Sequence, residues 1–308
     1  MSLVSELSRT AHHPKLLARK ANRAYYTQFR RREYNNKGID IFEEDWDNLI
    51  LLDACRFNLL KNNKDIITGK LESRISRGSS TVEFLRGNFK NKKLLDTVYV
   101  NSNPQLHRHR DEINSKIFHV ENVWENNWDS EKKTVLPTTV TNEAMKLSKE
   151  FPEKRFIVHY IQPHYPFIGD KPSDFDNSQA FLKPGEAGSW TQIYLGEISV
   201  DTHSVYKSYE QNLRICLNQV KDLLDELVGK TVITSDHGNM LGERSSPIPV
   251  REWGHPTGIY TPELVNVPWL VPPFDKRKKV TTSQLVSESN PNKASSVNSR
   301  LQDLGYLE

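Results

Sequence analysis

Short apolar runs alternate with helical periodicities along most of this chain. The first run, over 48–52, is Asn-Leu-Ile-Leu-Leu and is followed at once by Asp53; others cover 97–100, 155–161, 231–234 and 267–271. Each has the length of a strand buried on both faces. Pro268 predicts that the last of them lies near a sheet edge or begins at that point. Between 205 and 228, Tyr206, Tyr209, Leu213, Cys216, Leu217, Val220, Leu224 and Leu227 recur at three- and four-residue steps and predict a helix, with Gly229 as its stop. A second helical pattern over 142–151 stands where a crossover into the 155–161 strand would lie. This alternation predicts an α/β fold with a parallel or mixed sheet and helices on its faces. Residues 170–202 are rich in Pro, Gly, Asp and Ser and read as a long loop or lid. The chain is polar again over 274–298, and a short amphipathic helix then ends at Leu301, Leu304, Gly305, Tyr306 and Leu307.

The 308 residues allow one large α/β domain or two ordinary ones. Hydrophobic residues make up 36% and charged ones 26%, polar for a globular chain but enough for a core. No apolar stretch approaches the roughly 20 residues of a membrane-spanning helix. Residues 1–14 lack the apolar core of a secretory signal, so a cytoplasmic protein is expected. Cys55 and Cys216 are too few for a disulfide framework and read as small buried residues. The net charge of +3 gives no reason to expect nucleic-acid binding, but it is unevenly placed. Residues 1–38 carry nine Lys or Arg against two acidic residues, +7 on a body of −4. Such a segment either packs on its own domain, the commoner case, or docks on an anionic surface, peripheral membrane contact included. The expected division is a basic helical arm over 1–40, a catalytic domain over 41–275 and a polar C-terminal segment over 276–308 whose short helix packs on the domain.

In open α/β sheets ligands gather beyond the carboxyl ends of the strands. Asp53 stands directly after one apolar run, and Ser235-Asp236-His237-Gly238 ends another. A carboxylate there is paired, hydrogen-bonded or bound to a metal; capping the next helix is the alternative for either one alone. Two of them, one followed by His237, suit zinc, manganese or a similar divalent ion. Gly238 next to His237 lets the backbone turn sharply. His255, in Trp253-Gly254-His255-Pro256, and His164, in Gln162-Pro163-His164-Tyr165-Pro166-Phe167, also lie in turns. His159, inside a strand run, reads as a core or supporting histidine. A hydrolytic or transfer centre also requires a nucleophile, and Ser79, Ser80 and Thr81 open a helix-like stretch reaching Phe89. Ser80 and Glu83 have the spacing of a capping box, and spacing alone does not choose among the three hydroxyls.

Asp53-Ala54-Cys55-Arg56, the Ser79-Ser80-Thr81 turn, His164-Tyr165-Pro166-Phe167, Ser235-Asp236-His237-Gly238-Asn239 with Leu241-Gly242-Glu243, and Gly254-His255-Pro256 together resemble the alkaline phosphatase superfamily, in particular its sulfatase-like hydrolase/transferase branch. The ordered set spans about residues 41–271, and the ending Leu301 to Tyr306 is also similar to that of many members. The resemblance implies a three-layer α/β/α sandwich with a central, mostly parallel sheet and a metal at its carboxyl edge. It matches Asp53, Asp236 and His237 to metal ligands, His255 to a further metal or substrate ligand, and His164 to a residue contacting the substrate's anionic group. Arg56 follows the first aspartate as an arginine does in relatives, beside the substrate or in support of structure. Thr81 is the best match to the nucleophile, with Ser80 as the alternative. The Cys/Ser-x-Pro-Ser-Arg signature of formylglycine sulfatases is missing, as is the Asp-x-x-x-His motif of two-zinc phosphodiesterases, so one site for Zn, Mn, Ca or Mg is favoured. The implied activity is metal-dependent hydrolysis or transfer of a phosphate ester, the substrate being an anionic ester with glycan- or lipid-linked ones included. Sulfuric ester hydrolysis without formylglycine, and a non-catalytic binding protein on the same fold, are the alternatives.

Overall fold

The structure, a computed structural model, describes residues 14–29, 31–169, 189–197, 199–284 and 294–306. Arg9 and Arg30 of the basic segment, 170–188 of the expected lid and Leu307 lie outside them. A seven-stranded sheet runs in the order β2 (Lys70–Ile75), β9 (Asn266–Val271), β6 (Thr231–Thr234), β1 (Asn48–Leu52), β5 (Arg155–Tyr160), β3 (Lys93–Asn101) and β4 (Lys116–Asn122), and β7 (Met240–Arg244) pairs separately with β8 (Arg251–Gly254). Strands β6, β1, β5, β3 and β4 are parallel, while β9 is antiparallel to both β6 and β2.

Side chains alternate across a strand, so the unbroken run of β1 feeds two cores. Ile50 and Leu52 pack with Val98, Val100, Phe156 and Val158 beneath the helices Pro137–Glu150 and Thr202–Glu226, through Val140, Ala144, Leu213 and Val220. Leu49 and Leu51 point the other way and join Tyr99, Ile157 and Trp269 against Phe84, Leu85 and Phe89 of the helix Thr81–Phe89. Both faces are therefore covered by helices, the three-layer α/β/α arrangement that the motifs implied. At roughly 25 cal/mol per Å² of apolar surface, this two-sided burial is the main force holding the sheet. Cys55 and Cys216 are fully buried and unpaired.

All five strand runs are strands, and the two long helical patterns are helices. The helix Thr202–Glu226 starts where Asp201 accepts the backbone N–H groups of His203 and Ser204. Pro268 does not mark an edge: β9 lies between β6 and β2, and its pairing with β6 stops at Trp269, one residue short of the proline. The edge is β2, Lys-Leu-Glu-Ser-Arg-Ile, whose polar sequence hides it from hydrophobic pattern. The expected loop over 170–202 contains a helix, Ser189–Leu195. Within the basic segment a helix, Pro14–Thr27, packs on the body: Arg19 pairs with buried Glu252 at 2.9 Å, and Asn22 bonds Ser245 and the Ile248 carbonyl. Among the described residues no helix is long and apolar enough to cross a membrane.

Candidate active site

Strand order decides what meets at the carboxyl edge. Four neighbouring strands, β6, β1, β5 and β3, deliver Asp236, Asp53, His159 and Asn103 to one place. Asp53 follows its strand directly, Asp236 is two past the end of β6, His159 is the fifth residue of β5, paired with Leu51, and Asn103 is two past the end of β3. The turn after β1 is tight. Ala54 adopts a left-handed φ of 60°, uncommon for a residue with a Cβ, and its N–H donates to Asp236 Oδ1 at 3.1 Å. Gly238 is required for space rather than for a left-handed turn. A Cβ there would lie 2.0 Å from the Glu263 carbonyl oxygen.

Asp53, Asp236, His159 and His237 are all fully buried. Oxygens of the two aspartates and a ring nitrogen of His159 lie within 4.8 Å of one another. His159 Nε2 is 4.0 Å from both carboxylates; His237 Nε2 is 3.5 Å from Asp53 Oδ1 and 3.4 Å from Asp236 Oδ2. His237 Nδ1–H donates to the Gly238 carbonyl, which leaves Nε2 facing the carboxylates. His159 bonds the Tyr99 hydroxyl through Nδ1. Asp53 Oδ1 and His159 Nε2 have no hydrogen-bond partner among the described residues. Burial, and then the charge of Asp236, push the Asp53 carboxyl well above the usual carboxylate range. Burial acts the same way on Asp236, but His237, His159 and the bonds from Thr81 and Ala54 outweigh it and hold that carboxyl low. Burial holds His159 down at about 4, which keeps its ring neutral. Two close carboxylates, two imidazoles and an unpartnered inward oxygen and nitrogen form a donor set that fits a divalent cation.

The helix Thr81–Phe89 sets the hydroxyl. Thr81 Oγ1 donates to Asp236 Oδ2 at 2.7 Å and lies 3.3 Å from His237 Nε2. Ser80 is the N-cap, faces Thr257 at 3.2 Å and makes no capping bond. The expected Ser80–Glu83 capping box is not formed, because Glu83 instead accepts the backbone N–H and hydroxyl of Ser79, at 2.9 and 2.8 Å. Of the three hydroxyls, only Thr81 bonds the carboxylate centre.

His164 and His255 sit beside this group. His164 Nδ1–H donates to the Tyr165 carbonyl, and the two Nε2 atoms of His164 and His255 are 2.8 Å apart. Burial depresses both, His164 to about 4. The His255 ring lies tilted beside that of His237, centroids 4.6 Å apart, but its Nε2 is engaged with His164. Asn212 of the long helix steadies the His164 turn by donating to the Pro163 and His164 carbonyls. Arg56 is turned elsewhere, onto Glu243 and Asn58. Sequence reading missed Asn103 and Tyr306, both of which bond Asp53 Oδ2, and placed His159 only as a core or supporting residue. Tyr306 stood in the quoted C-terminal ending, yet nothing in its spacing points to a site more than 250 residues away.

No protein-family profile matches the chain, and no curated protein does. Among solved structures, it is similar to the integral membrane protein lipooligosaccharide phosphoethanolamine transferase A from Neisseria meningitidis, at 14% identity over 72% of this chain and 47% of that one, TM-score 0.42. It is also similar to the C-terminal periplasmic domain of phosphoethanolamine transferase EptC from Campylobacter jejuni, at 13% identity, 73% and 77% coverage and TM-score 0.42. A third likeness is to a protein in the alkaline phosphatase superfamily from Vibrio parahaemolyticus, at 10% identity, 89% and 69% coverage and TM-score 0.42. The chain thus spans about half the length of the Neisseria meningitidis transferase.

Proposed function

We propose that this protein is a divalent-metal-dependent enzyme of the alkaline phosphatase superfamily that cleaves or transfers phosphate esters through Thr81. The carrying observation is the Thr81 hydroxyl, at a helix N-terminus, 2.7 Å from Asp236 and 3.3 Å from His237 within a buried cluster that has an unpartnered oxygen and nitrogen. Asp53, Asp236 and His237 would hold the ion, with His159 in reach of the same position. Bound there, a divalent ion lowers the pKa of a neighbouring hydroxyl and offsets charge on a phosphoryl oxygen.

The side chains supply the rest. Thr81 directs its proton at Asp236 Oδ2, so its oxygen is oriented for attack on phosphorus. The Thr81 O–P bond forms as the ester O–P bond breaks, and the leaving oxygen takes a proton. His164 and His255, joined through Nε2, are placed to turn that N–H onto a phosphoryl oxygen once their mutual bond opens, and water supplies the proton to the leaving oxygen. Water or an acceptor hydroxyl then releases the phosphoryl group from Thr81. The helix N-terminus favours the negative charge that gathers there.

The test is turnover of a bis-aryl phosphate, an aryl phosphate and an aryl sulfate, each with manganese and with zinc. Phosphate-ester turnover lost in Thr81→Ala is the expected result. Turnover of the sulfate alone would replace this reading with a sulfuric ester hydrolase, and turnover of none, with no ion bound, would leave a binding protein on an enzyme's fold.

A further inference from the structure

Tyr306 reaches the centre by a specific backbone device. Leu301 and Leu304 are fully buried and anchor the last helix, Ala294–Asp303, on the core. Gly305 takes φ +74°, its N–H bonds the Gln302 carbonyl at 3.0 Å, and the Tyr306 N–H bonds the Leu301 carbonyl at 2.9 Å. This is the Schellman ending of a helix, and it turns the next residue back across the helix end. The Tyr306 ring lies stacked on His164, centroids 4.9 Å apart, and its hydroxyl meets three groups. It donates to Asp53 Oδ2 at 2.7 Å, accepts from Asn103 Nδ2 at 3.0 Å, and lies 3.2 Å from Thr81 Oγ1. Asn103 Nδ2 also bonds Asp53 Oδ2, at 2.6 Å.

Proton counting then fixes the roles. A tyrosine hydroxyl has one proton and Thr81 has one. The Tyr306 proton lies on Asp53 Oδ2 and the Thr81 proton on Asp236 Oδ2. Two donors therefore occupy one oxygen of Asp53 and leave Oδ1, the partnerless atom, facing the centre. We infer that Tyr306 is a positioning residue: through its hydroxyl, the C-terminal segment orients Asp53 toward the cation. This rests on Asp53 being a metal ligand, as proposed above. Groups that fix a ligating carboxylate commonly change metal affinity 10–100-fold when removed.

The experiment compares full-length wild type, Tyr306→Phe and Asn103→Ala by calorimetric titration with manganese and with zinc, and by steady-state kinetics on an aryl phosphate ester. Phenylalanine keeps the ring on His164 and removes only the hydroxyl. The expected result is roughly 10-fold or greater loss of metal affinity in each variant. For Tyr306→Phe, kcat at saturating metal should also fall about 10-fold with KM within about threefold, and the circular dichroism should be unchanged. Unchanged metal affinity and kcat in Tyr306→Phe would overturn the inference and leave the proposed function standing. Should Tyr306→Phe fail to fold, Asn103→Ala decides, and wild-type affinity there overturns it. A wild type that binds neither ion overturns this inference and the proposed function together.

Discussion

One strand carries a buried aspartate at each end, and the two live in opposite surroundings. Asp47, just before β1, is 2% exposed and saturated: Arg277 grips it through Nε and Nη2 at 2.7 and 3.0 Å, and the backbone N–H groups of Lys230 and Lys278 donate at 2.8 and 3.1 Å. Burial works to raise its pKa, but these donors win and hold the carboxyl below the usual range. Asp53, just after β1, faces a second carboxylate and, among the described residues, has no Lys or Arg against it and keeps one oxygen without a hydrogen-bond partner; its pKa moves the other way. A chain that needed Asp53 only for stability would complete it as it completes Asp47. A buried charge left incomplete is the mark of a site awaiting a ligand.

The comparison breaks most sharply under substitution. Asp53→Asn should abolish metal binding and cut phosphoester turnover roughly 10³-fold or more. The metal-free protein should meanwhile melt no lower than wild type, since a repelled charge has been removed. Asp47→Asn should do the reverse: turnover within about twofold, and a loss of about 2–3 kcal/mol in urea unfolding, because Arg277 keeps its charge without a partner. Equal effects of the two variants on either readout would contradict the contrast. Thr81→Ala should lose turnover on a similar scale to Asp53→Asn while still binding the ion, checked by titration calorimetry.

Acid separates the two ends more gently. The folded pKa of Asp47 is depressed, so its contribution is present above the unfolded value of about 3.9 and is lost as pH falls through the lower folded value. The folded pKa of Asp53 is raised without metal, so the cost of its charge is relieved as pH falls through that higher value. Relative to Asp53→Asn, metal-free wild type should therefore gain stability on acidification from neutral pH, while the buried His159, His164 and His255, whose folded pKa values are depressed, lower both curves alike below about pH 6.5, and Asp47 adds a loss near and below pH 4. Asp53→Asn should lack the gain and Asp47→Asn should show a shallower loss. Urea midpoints measured across pH give both slopes. The smallest effect should come from Ser80→Ala, with turnover within about threefold and stability within about 0.5 kcal/mol, since Ser80 makes no capping bond in this structure.

Much of this was legible in the chain because the central strands are buried on both faces and announce themselves as apolar runs. Asp53 and Asp236 could be singled out since one directly ends such a run and the other stands one serine beyond its end. Edge strand β2 could not, because an edge is kept polar and has no pattern to betray it. His159 was misleading for a related reason: inside a strand, alternation alone does not say whether a buried ring faces core or site. Its place 4.0 Å from both carboxylates follows from the order β6-β1-β5, a tertiary fact. The choice of Thr81 over Ser80 likewise turned on which hydroxyl the helix start aims inward. Tyr306 lies too far along the chain for any local rule to connect it with Asp53.

The most direct test titrates manganese and zinc into metal-stripped wild type, Asp53→Asn and Asp47→Asn by calorimetry. The account predicts one ion bound per chain in wild type, the same in Asp47→Asn, and none in Asp53→Asn. Undiminished binding in Asp53→Asn, or no binding in wild type, would contradict it.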